Sequence, residues 1–212
     1  MKILFLSDTH AQHRFLNFDK YKNKGIDTIV HSGDYTGSKI GADKEFFDFI
    51  HWFSELPFKN KIFCSGNHDS YTFFFNKDAK ERCKELGVVY LEDEGVVVDG
   101  VKFYGTPWSS IFMNWYYMLT EKQLFLRFNA IDLDTQVLIT HTPPYKIADY
   151  ENGSNLGSPS LRNIIPKLKK LKIHAFGHIH KGRGIICKDN VTFVNAAMDG
   201  YDTFPVVEIL EE

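Results

Sequence analysis

Five short apolar runs in this chain each stop abruptly at a polar cluster, and that pattern constrains the fold more than any other feature. The runs cover residues 2–6, 28–30, 61–64, 137–140 and 173–176. The clusters are Asp8-Thr9-His10, Gly33-Asp34, Gly66-Asn67-His68-Asp69, His141-Thr142-Pro143-Pro144 and Gly177-His178-Ile179-His180. Short continuous apolar runs read as strands buried on both faces. In open α/β sheets, ligands lie beyond the carboxyl ends of the strands. The five clusters are therefore expected to meet on one rim. A spacing of two puts Asp8 with His10, and His178 with His180, on the same side of an extended segment. Gly33, Gly66 and Gly177 stand where the backbone must turn sharply or pack closely.

The segments between these runs predict helices. Residues 43–56 carry Phe46, Phe47, Ile50, Phe53 and Leu56 at helical spacing and end at Pro57. Residues 79–86 stop at Gly87, 120–129 start from Thr120 as N-cap, and 161–171 form a helix weakened at Pro166. Short β-rich runs at 88–91, 95–98 and 101–104 are split by the turn signal Asp99-Gly100, and a β-rich tail follows at 185–186, 191–194 and 205–210. Residues 150–160 read as a surface loop. Alternating strands and helices predict an α/β fold in one domain over residues 1–212, with more than a simple parallel sheet.

Composition excludes several classes. The 212 residues are 43% hydrophobic and 25% charged, enough for a core without disulfides and unlike collagen, coiled coil or disorder. Cys64, Cys83 and Cys187 form no CxxC pair and read as reduced thiols of a cytoplasmic protein. The N-terminal apolar run is too short for a signal peptide, and no run reaches membrane-span length, so no membrane partner is expected. A net charge of -2 gives no support to a nucleic-acid partner.

The clusters pool carboxylate oxygens, imidazole nitrogens and one amide oxygen. This set suits Mn, Fe, Co, Ni or Zn rather than Ca, and without cysteine it is not a thiolate zinc site. The donors are too many for one ion; two divalent ions sharing a carboxylate use them all. Such ions bring four positive charges against two from Asp8 and Asp34, so the site favours anions such as phosphate esters.

The order DTH, GD, GNHD, H, GHIH resembles the calcineurin-like metallophosphoesterases from Asp8 to Asn195. GTPW at 105–108, LITHTPP at 138–144, AFGHIHKGRG at 175–184 and FVNAA at 193–197 resemble the small metallophosphoesterase-domain-containing subfamily. Its members include phosphodiesterases acting on cyclic nucleotides and related diesters. The resemblance implies a four-layer α/β/β/α sandwich. It implies one metal on Asp8, His10, Asp34 and His180, and a second on Asp34, Asn67, His141 and His178. Asp34 would bridge them, and a hydroxide held between the metals would attack phosphorus. His68 would face the phosphate and protonate the leaving group, with Asp69 orienting His68 or supporting the ligands. Some subfamily members carry Gly where this chain has His178. GNHD in place of GNHE, and KGRG in place of EGYG, depart from the pattern and bear on substrate choice. A nuclease, a phosphomonoesterase or a non-catalytic binding scaffold are the alternative readings.

The remaining candidates lie outside the five strand-end clusters. Asn195 is expected to line the site. Lys181 and Arg183 either touch substrate phosphate or sit in solvent. His13, His31, His51 and His174 read as surface or packed residues; His13 and His31 lie near the motif loops, and support of those loops is the alternative reading for these two. The aromatic runs 71–75 and 108–118 suit a core or a homo-oligomer contact; a nucleobase stacked on Trp108, Phe112, Trp115 or Tyr116 is the functional alternative. Residues 167–172 read as the solvated face of a helix.

Overall fold

A computed structural model describes residues 1–37, 41–198, 200 and 203–209. The first half of the chain builds one sheet. Strands β1 (Lys2–Leu6), β2 (Thr28–Ser32), β3 (Asn60–Cys64) and β4 (Val89–Tyr90) lie side by side and parallel. Helices α1 (Ala42–Glu55), α2 (Ser70–Phe74) and α3 (Asn76–Glu85) occupy the connections.

The second sheet begins with the hairpin of β5 (Glu94–Val98) and β6 (Val101–Thr106), turning at Asp99-Gly100 as expected. A two-stranded ribbon, β7 (Ser109–Ser110) with β8 (Met118–Leu119), leads to helix α4 (Glu121–Phe128). Thr120 caps α4 in a full capping box with Gln123. Strand β9 (Val137–Thr140) follows, then a second ribbon, β10 (Tyr150–Glu151) with β11 (Ser154–Asn155), and helix α5 (Pro159–Ile164). Strands β12 (Ile173–Phe176), β13 (Gly184–Lys188) and β14 (Val191–Asn195) complete the sheet, in the order β13-β14-β12-β9-β6-β5. The last strand, β15 (Val206–Glu208), crosses back and pairs antiparallel with β1.

The strand residues alternate between cores, which explains the layering. Leu4, Leu6, Ile29 and Phe63 face α1 and α3, in a cluster with Phe46, Phe49, Phe53 and Ala79. Leu138, Phe176 and Phe193 face α4 and α5, with Leu124, Phe128 and Leu161. Ile3, Phe5, Val30 and Ile62 meet Phe103, Val137, Ile139, Ile173 and Ala175 between the sheets. Three apolar cores separate four layers, the α/β/β/α sandwich expected. The apolar runs lack polar alternation because both faces of each strand are covered.

Three local expectations are corrected. Helix α5 is shorter than the predicted 161–171 and starts earlier. Pro159 fills its first turn, the Ser158 hydroxyl accepts the Leu161 N–H at 3.2 Å, and Ile165–Lys167 continues as a 3-10 turn at Pro166. The basic stretch 167–172 therefore lies on turns, with Leu168 and Leu171 buried between exposed lysines. Residues 150–160 are not a loose loop. Asn152 and Gly153, both at positive φ, close the β10–β11 hairpin. The buried Asp149 carboxylate accepts the Lys146 and Gly157 N–H groups, each at 2.9 Å. Leu210, predicted as the end of the last strand, lies outside the described residues.

Candidate metal centre

The carboxyl ends of the parallel strands in both sheets open onto one rim. The loop after β1 is laced to the loop after β2: the N–H groups of Asp8, His10 and Ala11 donate to the carbonyls of Gly33, Asp34 and Tyr35 at 2.9, 3.0 and 2.8 Å. This lacing forces a tight path. Asp8, His10 and Asp34 have φ of 56°, 43° and 56°, and His178 has 65°. The extended backbone assumed for the Asp8–His10 and His178–His180 spacing is therefore absent. Left-handed turns, which Asp and His tolerate better than most residues, bring the side chains together instead.

Among the described residues three groups of donor atoms result: Asp8, His10 and His180; His10, Asp34 and His68; Asp34, His141 and His178. Within each group the atoms lie within 4.8 Å of one another. Asn67 joins the third, its Oδ1 3.0 Å from His141 Nε2. Asp34 Oδ2 stands 3.3 Å from His141 Nε2, and Asp8 Oδ1 stands 3.4 Å from His180 Nε2. The seven residues expected to hold metal thus gather at one place, with His68 at their edge.

Their electrostatics are mutually dependent. Burial opposes charge on Asp34, but His141 and His68 overcome it and hold the carboxyl down at about 2. Burial likewise opposes charge on Asp8, and its contacts with His180, His141 and His10 hold it well below the usual carboxylate range. Burial disfavours charge on His141 too, but Asp34, Asp8 and the Ser32 carbonyl raise it to about 9. Burial and the neighbouring His141 outweigh Asp34 and Asp8 at His178 and push it down to about 4.

Two features of the cluster fit divalent cations. His10 and His141 each donate Nδ1–H to a backbone carbonyl, Thr36 at 3.2 Å and Ser32 at 3.0 Å, which turns both Nε2 atoms inward. The glycines leave room only for the donors. A Cβ at Gly66 would strike Asp34 Oδ1 and His141 Cε1, and one at Gly177 would strike Asp8 Oδ2 and Ser7 Oγ.

Surrounding residues hold the loops. Gly33 N–H donates to His31 Nδ1 at 3.2 Å, so the proton lies on Nε2, which donates to Thr9 Oγ1 at 3.0 Å. His31, read chiefly as a packed residue, thus also braces both loops. Asp69 does not orient His68. Its oxygens accept the N–H groups of Asp34, Gly66 and Thr36 at 2.9, 2.7 and 3.0 Å and the Thr36 hydroxyl at 3.0 Å. His68 is set by other groups that the sequence did not signal. Its Nδ1 lies 3.4 Å from the Gly37 carbonyl, and its ring stacks on Trp115 with centroids 3.9 Å apart. Trp115 is held in turn because the next residue, Tyr116, donates its N–H to the Asn67 carbonyl at 3.1 Å.

Three weaker candidates fall outside the rim. Trp108 is only 9% exposed; its Nε1–H donates to Asp93 at 2.8 Å and the Arg127 guanidinium covers its ring. Asn195 is buried, donating to the Ala148 and Ile179 carbonyls at 3.0 and 2.9 Å, so it fastens the His178–His180 loop from behind. The Arg183 guanidinium binds the carbonyls of Ala197 and Thr203. Phe112 does reach the site: it is 53% exposed and lines the cavity with His10, Asp34, His68 and His178. His174 is packed as expected, donating Nε2–H to Thr140.

Comparisons with known proteins bear on this rim. The family model described as calcineurin-like phosphoesterase matches residues 1–182. Metallophosphoesterase domain-containing protein 1 of Homo sapiens is 29% identical, the alignment covering 97% of this chain and 68% of that protein. UPF0046 protein K07C11.7 of Caenorhabditis elegans is 32% identical, covering 93% of this chain and 69% of that protein. Among solved structures, TT1561 of Thermus thermophilus shares the fold with a TM-score of 0.66 at 15% identity, covering 92% of this chain and 88% of that one. A structure titled as a novel archaeal phosphodiesterase gives 0.53 at 18% identity, covering 98% of this chain and 93% of that one. The family match runs through every cluster on the rim as far as His180, and with it the chain belongs to the calcineurin-like phosphoesterases, hydrolases of phosphoesters that usually bind divalent metals.

Proposed function

We propose that the protein is a two-metal phosphodiesterase for small nucleotide diesters, cyclic nucleotides among them. Asp8, His10, Asp34 and His180 would hold one cation. Asp34, Asn67, His141 and His178 would hold the other, with Asp34 common to both. When bound, the pair supplies an acidified water and charge neutralisation for the phosphoryl oxygens. The metals are transition ions of the Mn, Fe, Co, Ni or Zn type, as mixed nitrogen and oxygen donors imply. A cytoplasmic setting goes with this reading, supported by three free thiols, Cys64, Cys83 and Cys187.

The observation that carries the proposal is the pose of His68. With Nδ1 toward the Gly37 carbonyl and the ring stacked on Trp115, Nε2 faces the cluster, 3.9 Å from Asp34 Oδ2. With Nδ1–H on the Gly37 carbonyl, a proton on Nε2 makes the ring an imidazolium, a form that burial opposes and Asp34 favours, and that proton can pass to the leaving oxygen of the ester. The cavity over the cluster is about 300 Å³, which favours a small ester over a duplex.

The test compares bis-p-nitrophenyl phosphate, p-nitrophenyl phosphate and cyclic nucleotides with Mn, Fe, Co and Zn. Faster turnover of diesters, abolished by EDTA, is the expected result. A preference for the monoester overturns the diesterase assignment.

A further inference from the structure

We propose that a second cavity beside the cluster is the subsite for the retained nucleoside or aryl arm of the diester, with Phe15 as the ring on which that arm stacks. The inference rests on the phosphodiesterase reading above and deepens it.

Among the described residues, this cavity of about 350 Å³ opens against Asp8, His10 and His180 and extends away to Gln12, Phe15 and Met198. It shares His10 and His180 with the cavity over the cluster, so the two lie side by side. His68 lines only the cavity over the cluster. The leaving oxygen must face His68 to take its proton. The arm that stays on phosphorus is therefore the one directed past His10 and His180.

The far wall is built for a flat apolar group. Phe15 is 86% exposed at the end of the turn His13–Phe15, and the buried Met198 meets the cavity too. Gln12 adds an amide that can pair with the edge of a base. The turn is pinned from behind. His13 Nε2 donates to Asp48 Oδ2 at 2.9 Å, and Arg14 Nε donates to Asp48 Oδ1 at 2.8 Å. Anchors on both preceding residues keep the Phe15 ring on the cavity rim. A base laid on it buries apolar surface of both partners.

The test holds the leaving group constant and varies the retained arm. Thymidine 5′-phosphate p-nitrophenyl ester and methyl p-nitrophenyl phosphate both release p-nitrophenolate. The expected ratio of their kcat/KM values is about tenfold or more in favour of the thymidine ester, at the low end of what stacking a base contributes. That ratio should collapse toward one in Phe15→Ala, mainly through KM, and persist in Phe15→Tyr. A ratio unchanged in Phe15→Ala, or near one in the unmutated protein, overturns the subsite alone. Failure to cleave either ester with any of the four metals removes the phosphodiesterase reading, and the subsite with it.

Discussion

The rims of the two sheets make unequal contributions. The first sheet brings both carboxylates, Asp8 and Asp34, the Asn67 amide, and His10 and His68. The second brings imidazoles only, from His141, His178 and His180. Like charges oppose one another within each rim, although His10 and His68 favour the carboxylates of their own rim. Asp8 raises the pKa of Asp34, and His141 lowers that of His178, as like charges must. Across the seam the sign reverses, and Asp34 and His141 hold one another charged. The lesson is that neither half is a site. Packing Ile3, Phe5 and Val30 against Phe103, Val137 and Ile139 supplies the alignment that the polar residues exploit.

Removing the group that faces both rims tests this most severely. Asp34→Ala should lower bound metal from two ions per chain to less than one and take turnover below detection; metal analysis alongside the diester assay decides it. Retention of both ions would show that the rims bind independently. Second in size is His68→Ala, which lies at the edge of the cluster. Metal content should persist, while kcat falls about 10²–10⁴-fold for poor leaving groups and much less for p-nitrophenolate. Equal loss on both esters refutes the acid role.

A matched pair of glycine variants sharpens the comparison. Gly66→Ala pushes on Asp34 and His141, and Gly177→Ala on Asp8 and Ser7. Each should cost about 1–3 kcal/mol in denaturant unfolding and weaken metal binding. If only one of them affects metal binding, the rims are uncoupled.

The mildest perturbation is a pH slope, because it leaves every rim residue in place. Burial holds His31, beneath the first rim, and His174, beneath the second, at about 3 against an ordinary 6.5. Above pH 6.5 neither affects stability. Below it the unfolded chain takes up protons that the folded chain refuses, so stability falls by about 1.4 kcal/mol per pH unit for each histidine, down to pH about 3. His174→Leu should make the fall in unfolding free energy between pH 6.5 and 4.5 shallower. An unchanged slope removes His174 from the account.

Most of the sandwich was legible because fully covered strands leave uninterrupted apolar runs, and the polar clusters after them mark where each strand meets the rim. Loop geometry was not legible. The segment 108–118 has no period that separates Trp108, held by Asp93 and Arg127, from Trp115, stacked on His68. What distinguishes them is a long-range hydrogen bond from Tyr116 to Asn67, which no local pattern encodes. Arg183 and Asn195 misled for a related reason. Both lie in motif segments, yet their polar groups tie down backbone carbonyls. Asp69 sits beside His68 in sequence but faces the backbone of the β2 and β3 loops.

The antiparallel partner of β1 is synthesised after every other strand described. Until Val206–Glu208 emerges from the ribosome, Ile3, Leu4 and Phe5 stand on an open sheet edge, the kind of surface that recruits other nascent chains. Biosynthesis of this fold therefore carries that open edge until its last described strand is made, and a truncation ahead of Val206 makes the hazard permanent even though every proposed metal donor is already in place.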